Sequence, residues 1–376
     1  MKPLHQSIAL LALTVWLPAQ AVLHYKFDGG CGSEVINFAP ASSAAAGGAT
    51  ITTTAPGGVD AARIGGRYGQ SLGGSGAAFG ETRCDTGWQP STIAGDFTFA
   101  MWLRNRSGMG SLPFGYLFGA SGGSFRLFTG GSGRLFLSGM PSAVTSSADL
   151  TAQLNSGWVH VGCVVDNTSM SATFYIDGVA EPSVGLAAPV ALLGTDFTIG
   201  ARGNTGGSSS SLDTDEFTFY DRALLPVEIL QMATATVPVA ANGGYQNAAP
   251  SQCGAGGVQV AGVGLPVSGN SSYAIDVTAT ASSLVLLFGG LDRCQAGGAV
   301  PLPFAVGTVT PLLTGCFVVA DPVVVVNGVA AGAPVTFPLP IPAGLQATSV
   351  YLQALGLDVT NLAASMSDGI AVSTGY

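Results

Sequence analysis

The sequence predicts an all-β chain arranged as two consecutive sandwiches, and three observations carry that expectation. Charged residues make up only 9% of the chain while glycine supplies 55 of its 376 residues. That balance suits short strands and tight turns better than helices held by ion pairs. Apolar side chains alternate with a period of two in one short run after another. These runs fall into two groups, parted by a stretch that has no period. Length favours two domains, with one large sandwich as the competing reading.

The first 21 residues read as a secretory signal, with Lys2, an apolar stretch from Ile8 to Leu17 and the small-residue site Ala19-Gln20-Ala21. A mature chain beginning at Val22, secreted or at the cell surface, is expected. No later segment approaches the roughly 20 apolar residues of a membrane helix. Without the signal, 11 basic residues face 21 acidic ones, a net charge of −10, which disfavours binding to phosphate backbones.

From Val22 to about Ala233 the runs read as one sandwich. FTFAMWLR sets Phe97, Phe99, Met101 and Leu103 on one face and Thr98, Ala100, Trp102 and Arg104 on the other. ATFYIDGV, from Ala172, ends in Asp177-Gly178, a hairpin turn signal. FTIG at Phe197 and EFTFYD at Glu216 repeat the period, and Leu224 to Met232 is the one helical candidate, with Pro226 tolerable in its first turn. The loop from Ala201 to Asp213 has glycines but no strand-to-helix setting, so it is not a phosphate loop. A linker is expected over 234–250. A smaller sandwich over 251–376 follows, built from SYAIDVTA, SLVLLFGG, GCFVVA, VTFPLPIP and TSVYLQALGLD. Pro338, Pro340 and Pro342 confine their segment to an edge or a strand end.

All six cysteines lie beyond the signal and none forms a CxxC pair, which fits disulfides in an oxidising compartment. Cys31 is expected to pair with Cys84, and Cys316 with Cys253 or Cys294. Cys163 shares a strand face with Val159, Val161 and Val165 and reads as a buried free thiol.

The succession LHYKFDGG, GGRYGQSL, DFTFAMWLR, GWVHVGCVVD, ATFYIDGV, FTIGARGN and DEFTFYDRALLPVEI, running in order from Leu23 to Ile229, resembles the laminin-G-like, concanavalin A-like jelly roll. The resemblance implies two antiparallel sheets packed face to face, the last strand leading into the short helix. The second half is similar to a small C-terminal β-module common in secreted bacterial proteins, through GLPVSGNSSYAIDV at Gly264, PLPF at Pro301, GCFVV at Gly315, FPLPIP at Phe337, YLQALGLD at Tyr351 and SDGIAVSTG at Ser367.

Groups able to do chemistry are scarce. His24 and His160, the two histidines left after signal removal, fall in strands and read as structural. Glycoside hydrolases on this architecture need two suitably spaced carboxylates. The cluster Asp213-Thr214-Asp215-Glu216 lacks their ExDxxE pattern, so the chain is expected to be non-catalytic. In related jelly rolls calcium often joins the loop after the first strand to the start of the last, which here implies Asp28, the Gly29 and Gly30 carbonyls, Asp215 and Glu216. The alternative is that these acids are solvated turn residues. The candidates for ligand contact are Trp88, held exposed by a disulfide at Cys84, and Phe114, Tyr116, Arg126 and Arg134 in the Gly-rich stretch from Met109 to Gly139, with strand packing and solvated surface as the alternative reading of these residues. Trp102 and Trp158 read as packing residues. The expected function is a secreted, non-catalytic binding or adhesion protein for a glycan or an extracellular protein. A structural surface protein and a glycoside hydrolase are the alternatives.

Overall fold

A computed structural model describes residues 21–28, 32–39, 49–76, 80–93, 95–106, 110–122, 125–139, 143–203, 209–245, 253, 257–306, 313 and 315–376. The signal, apart from Ala21, and the residues Gly29, Gly30 and Cys31 lie outside the described residues.

The chain is all-β. Its first part is a sandwich of two antiparallel sheets, with nine and eight strands among the described residues. At the middle of the nine-stranded sheet, Phe97–Arg104 lies between Val159–Asp166 and Asp213–Tyr220, with Phe99 opposite both Cys163 and Phe219. The face that the alternation assigns to the core is fully buried at Phe97, Phe99, Met101 and Leu103. Those side chains meet Phe118, Phe125, Phe197 and Ile199 of the facing layer. Ring centroids lie 4.9 Å apart for Phe99–Phe118 and 5.5 Å apart for the stacked Phe97–Phe219 pair; each such pair adds about 0.5–1.5 kcal/mol beyond its area burial. Thr98, Ala100 and Trp102 on the other face are also buried. The helix Pro226–Thr234 covers part of that side, its Ile229 clustering with Tyr175, Tyr220 and Leu224.

Local chemistry explains the boundaries. Asp177 and Gly178 both have positive φ, 48° and 80°, as a two-residue primed turn requires, and they join Ser171–Ile176 to Val179–Ala180. The helix starts at Pro226, two residues later than the apolar pattern suggests, because the Glu228 carboxylate accepts the Leu225 N–H at 2.8 Å and fixes Leu225 as the cap.

In the second part, Ser283–Gly290 pairs with Ser349–Asp358 on one side and Val324–Val329 on the other. A three-stranded sheet packs against this layer through Tyr273, Ile275, Val277 and Phe337, which meet Val285, Leu287 and Leu352. Pro338 ends a strand at the edge of the smaller sheet. The segment expected to be a linker contains a strand, Ala241–Tyr245, paired in register with Gly369–Ser373. Asn242 pins it by accepting the Tyr273 hydroxyl at 2.7 Å and donating to the Gly264 carbonyl at 3.0 Å.

The two parts share a buried seam. Ile36 and Phe38 cluster with Ala241, Val319, Tyr351 and Ala371. Lys26, fully buried, donates to the Val239 carbonyl and to Ser373 Oγ. Arg293, only 1% exposed, donates to the Glu34 carbonyl at 3.1 Å and pairs with its carboxylate at 3.4 Å. Cys253 is bonded to Cys316, and Cys294 is disulfide-bonded too. Cys84, expected to pair with Cys31, is a free thiol; its strand turns it into the core, where it is fully buried. Cys163 is likewise free and buried. Among the described residues no helix is long and apolar enough to cross a membrane.

Candidate functional site

The acidic cluster is built to hold main chain. Asp213, fully buried, accepts Arg104 Nε at 3.1 Å and Nη2 at 3.0 Å, and its other oxygen takes the Gly74 N–H at 2.9 Å. Asp215 accepts the Arg67 and Tyr68 N–H groups through Oδ2 and the Glu216 N–H through Oδ1. Asp28 Oδ1 takes the Gln70 N–H at 2.7 Å. The turn at 66–70 therefore wraps round two carboxylates, so closely that a side chain at Gly66 or Gly69 would overlap Asp215 or Asp28.

Burial sets the charges of this cluster. It pushes Asp28 up to about 7, against the Gln70 N–H and with the Glu216 charge adding to the rise. Burial, Glu216 and Asp28 together push Asp215 well up. Burial opposes the charge of Glu216 too, but Lys26 and the His24 hydrogen bond at 3.0 Å outweigh it and hold that carboxyl below its usual range. Among the described residues no three His, Cys, Asp or Glu side chains converge as a metal set. Of the calcium ligands expected here, Asp28 Oδ1 and both Asp215 oxygens accept backbone N–H groups, and Glu216 Oε2 meets the His24 ring while its Oε1 has no hydrogen-bond partner among the described residues.

A different constellation stands on the outer face of the eight-stranded sheet. Gly115–Ser121, Arg126–Thr129 and Leu135–Ser138 are neighbours there. Their inward residues Leu117, Leu127, Leu135 and Leu137 are fully buried. The outward ones, Tyr116, Arg126, Phe128 and Phe136, are half-buried. Phe128 stacks on Phe136 at 5.2 Å and meets Tyr116 at 5.9 Å. Phe114, 49% exposed, closes the group at 5.1 Å from Tyr116 and 5.5 Å from Phe128. The Arg126 guanidinium lies 5.7 Å from the Tyr116 ring centre and 5.9 Å from that of Phe128, and the Arg202 guanidinium is 5.9 Å from Tyr116. Four rings and two cations thus form one accessible platform.

The structure brings together Phe114, Tyr116 and Arg126 from the sequence-based set. Arg134 is exposed two residues before Phe136, and its charge acts on Asp149 instead. Trp88, expected to be exposed, is 1% exposed and wedged between Phe197 and Phe219 at 5.2 and 5.0 Å; it belongs to the core. Phe128, Phe136 and Arg202 were not singled out. The alternation in RLFT and LFLS could have found the two rings, since each Phe sits out of phase with buried leucines. His160 is buried, its N–H donating to Asp177 and its ring edge-on to Trp102 at 5.2 Å.

Comparison with known proteins gives one family match and several distant likenesses. No curated protein sequence matches the chain. Among solved structures, the chain is similar to the binding domain of Paraclostridial Mosquitocidal Protein 1, at 13% identity and TM-score 0.42, over 69% of this chain and 64% of that one, less than two thirds of its length. It is similar to Domain 4 of AbnA, a GH43 extracellular arabinanase from Geobacillus stearothermophilus, in complex with arabinotriose, at 20% identity and TM-score 0.41, over 57% of this chain and 99% of that one. It is also similar to the binding domain of Botulinum neurotoxin DC in complex with rat synaptotagmin II, at 10% identity and TM-score 0.40, covering 71% and 74%. Residues 81–230, which supply most strands of the first sandwich and all of the platform, match the family model of the Concanavalin A-like lectin/glucanases superfamily.

Proposed function

We propose that the protein is a secreted, non-catalytic binding protein whose first sandwich recognises a glycan on the platform of Phe114, Tyr116, Arg126, Phe128 and Phe136. The observation that carries this reading is the set of rings on an outward sheet face, in a domain that already has a closed aromatic core and needs none of them for packing. Sugar rings have apolar C–H faces that lie against aromatic faces, while the guanidinium forks supply directional donors for ring oxygens. The main acids have other duties, Asp213 in an ion pair with Arg104 and Asp215 on the turn amides, which supports a binding role over hydrolysis.

The test is a glycan array probed with the purified mature protein, with calcium and with chelator, beside Phe128→Ala and Tyr116→Ala. Binding that falls at least about tenfold in either variant, roughly the worth of one or two good contacts, with Tm held, is the expected result. Equal binding with calcium and chelator is expected, because the Asp28 and Asp215 oxygens already accept N–H donors. A full panel without binding sinks the reading. A structural role through self-association draws on one observation, the exposed valines of the edge strand Val324–Val329, and sedimentation velocity distinguishes it.

A further inference from the structure

We propose that the glycan is acidic, and that the carboxylate of a uronic or sialic acid unit seats against Arg126 with Arg202 beside it while a neighbouring sugar ring rests on Phe128 and Tyr116. This rests on the glycan reading of the same face.

Arg126 makes no ion pair among the described residues, whereas four other arginines of its sandwich do. Arg83 pairs with Asp85, Arg104 and Arg106 reach Asp213, and Arg222 pairs with Glu228. The Arg126 guanidinium lies against the rings of Tyr116 and Phe128, and its Nε is buried without a hydrogen-bond acceptor among the described residues. The strands that carry the rings, GYLFGAS, RLFT and LFLS, contain no Asp or Glu. A guanidinium kept apart from carboxylates is unexpected in a chain where 21 acidic residues outnumber 12 basic ones.

A second guanidinium stands close by. Gly119 separates the two stems, since a side chain there would lie 3.1 Å from Arg126 Cβ and 3.2 Å from Arg202 Cγ. Both cations converge on the Tyr116 ring. An anion seated at the Tyr116 ring would lie near both positive charges. A planar carboxylate matches the arginine fork in a bidentate pair. Stacking rings with arginines also suit single-stranded nucleic acid, but the net charge of −9 opposes a polyanion of that length.

The experiment measures affinity of the mature protein by calorimetry for matched pairs of oligosaccharides, each neutral chain beside its uronate- or sialate-bearing counterpart, with a short single-stranded oligonucleotide as a further probe. The expected result is at least tenfold tighter binding of the acidic members, weakened by added salt. Arg126→Gln is expected to abolish the preference, and Arg126→Lys to restore it only in part, because lysine returns the charge without the fork. Arg202→Gln and thermal unfolding of each variant guard against loss of fold. Equal binding of neutral and acidic members, or a preference that survives Arg126→Gln, overturns this inference and leaves the glycan reading standing. No binding of any oligosaccharide overturns both, and so does binding of the oligonucleotide alone.

Discussion

Asp28, half-buried, and His160, buried, are both displaced from their usual protonation range, in directions that oppose each other. Asp28 is pushed up to about 7 from an ordinary 3.8. Between those values the folded state keeps a proton that the unfolded chain has released, so stability falls as pH rises from about 4 to 7. Asp215, raised by burial and by its acidic neighbours, adds the same sign. Burial lowers His160 to about 4. Its share of stability is full above the unfolded value of 6.5 and is lost as pH falls towards 4. At about 1.4 kcal/mol per unit, these are upper bounds of roughly 4–5 kcal/mol for Asp28 and 3–4 kcal/mol for His160. Asp28→Asn, which can still accept the Gln70 N–H, is expected to flatten or reverse the fall in stability between pH 4 and 7. His160→Phe, which removes a ring whose Nδ1 has no partner, is expected to steepen it. Urea unfolding at several pH values checks both; an unchanged slope in Asp28→Asn would show that its proton is not linked to folding.

At the scale of strands, what the sequence disclosed depended on whether local chemistry or a distant partner decided the outcome. The Asp177-Gly178 turn and the alternation of Phe97 to Leu103 were legible because both are settled within a few residues. Trp88 was not, because RCDTGWQPS reads as a loop and only Phe197 and Phe219, far along the chain, draw its ring inward. Strand Ala241–Tyr245 was hidden for the same reason, since its pairing partner is the chain's last strand. On the platform, Tyr116 and Arg126 were legible as polar-edged residues, whereas Phe128 and Phe136 sit among leucines and their outward phase shows only once the sheet is formed. The edge strand Val324–Val329 carries a further consequence. Val323, Val324 and Val325 are 69%, 61% and 55% exposed, and an uncharged open edge invites pairing with another chain. Val325→Lys is expected to change stability by no more than about 0.5 kcal/mol while reducing concentration-dependent association. If sedimentation gives monomers at every concentration for both proteins, the edge is not adhesive.

Over the whole molecule, the buried seam and the platform occupy opposite ends of one sheet. The eight-stranded layer runs from Val144–Thr145 through the ring-bearing strands and Thr195–Ile199 to Glu34–Val35 at its far edge, and it is at Glu34 that Arg293 docks. Arg63, from the same sandwich as Glu34, donates to that residue's carbonyl at 2.7 Å, so one main-chain oxygen at the seam gathers a guanidinium group from each part. Removing one partner of a buried charge pair strands the other, which typically costs about 3 kcal/mol or more. Arg293→Ala is therefore expected to destabilise the docked arrangement by roughly that amount and to split one cooperative unfolding transition into two in calorimetry. Lys26→Met, which replaces a buried ammonium by an apolar chain of similar length, also takes away a charge that holds buried Glu216 ionised and is expected to destabilise the protein by a comparable amount. Neither change reaches Tyr116, Phe128 or Arg126, so ligand affinity at 25 °C should stay within about twofold of the unaltered protein, a difference of roughly 0.4 kcal/mol. Loss of binding in Arg293→Ala at a temperature where the first sandwich is still folded would mean that the second sandwich supports the platform, and that the two parts recognise their ligand as a unit.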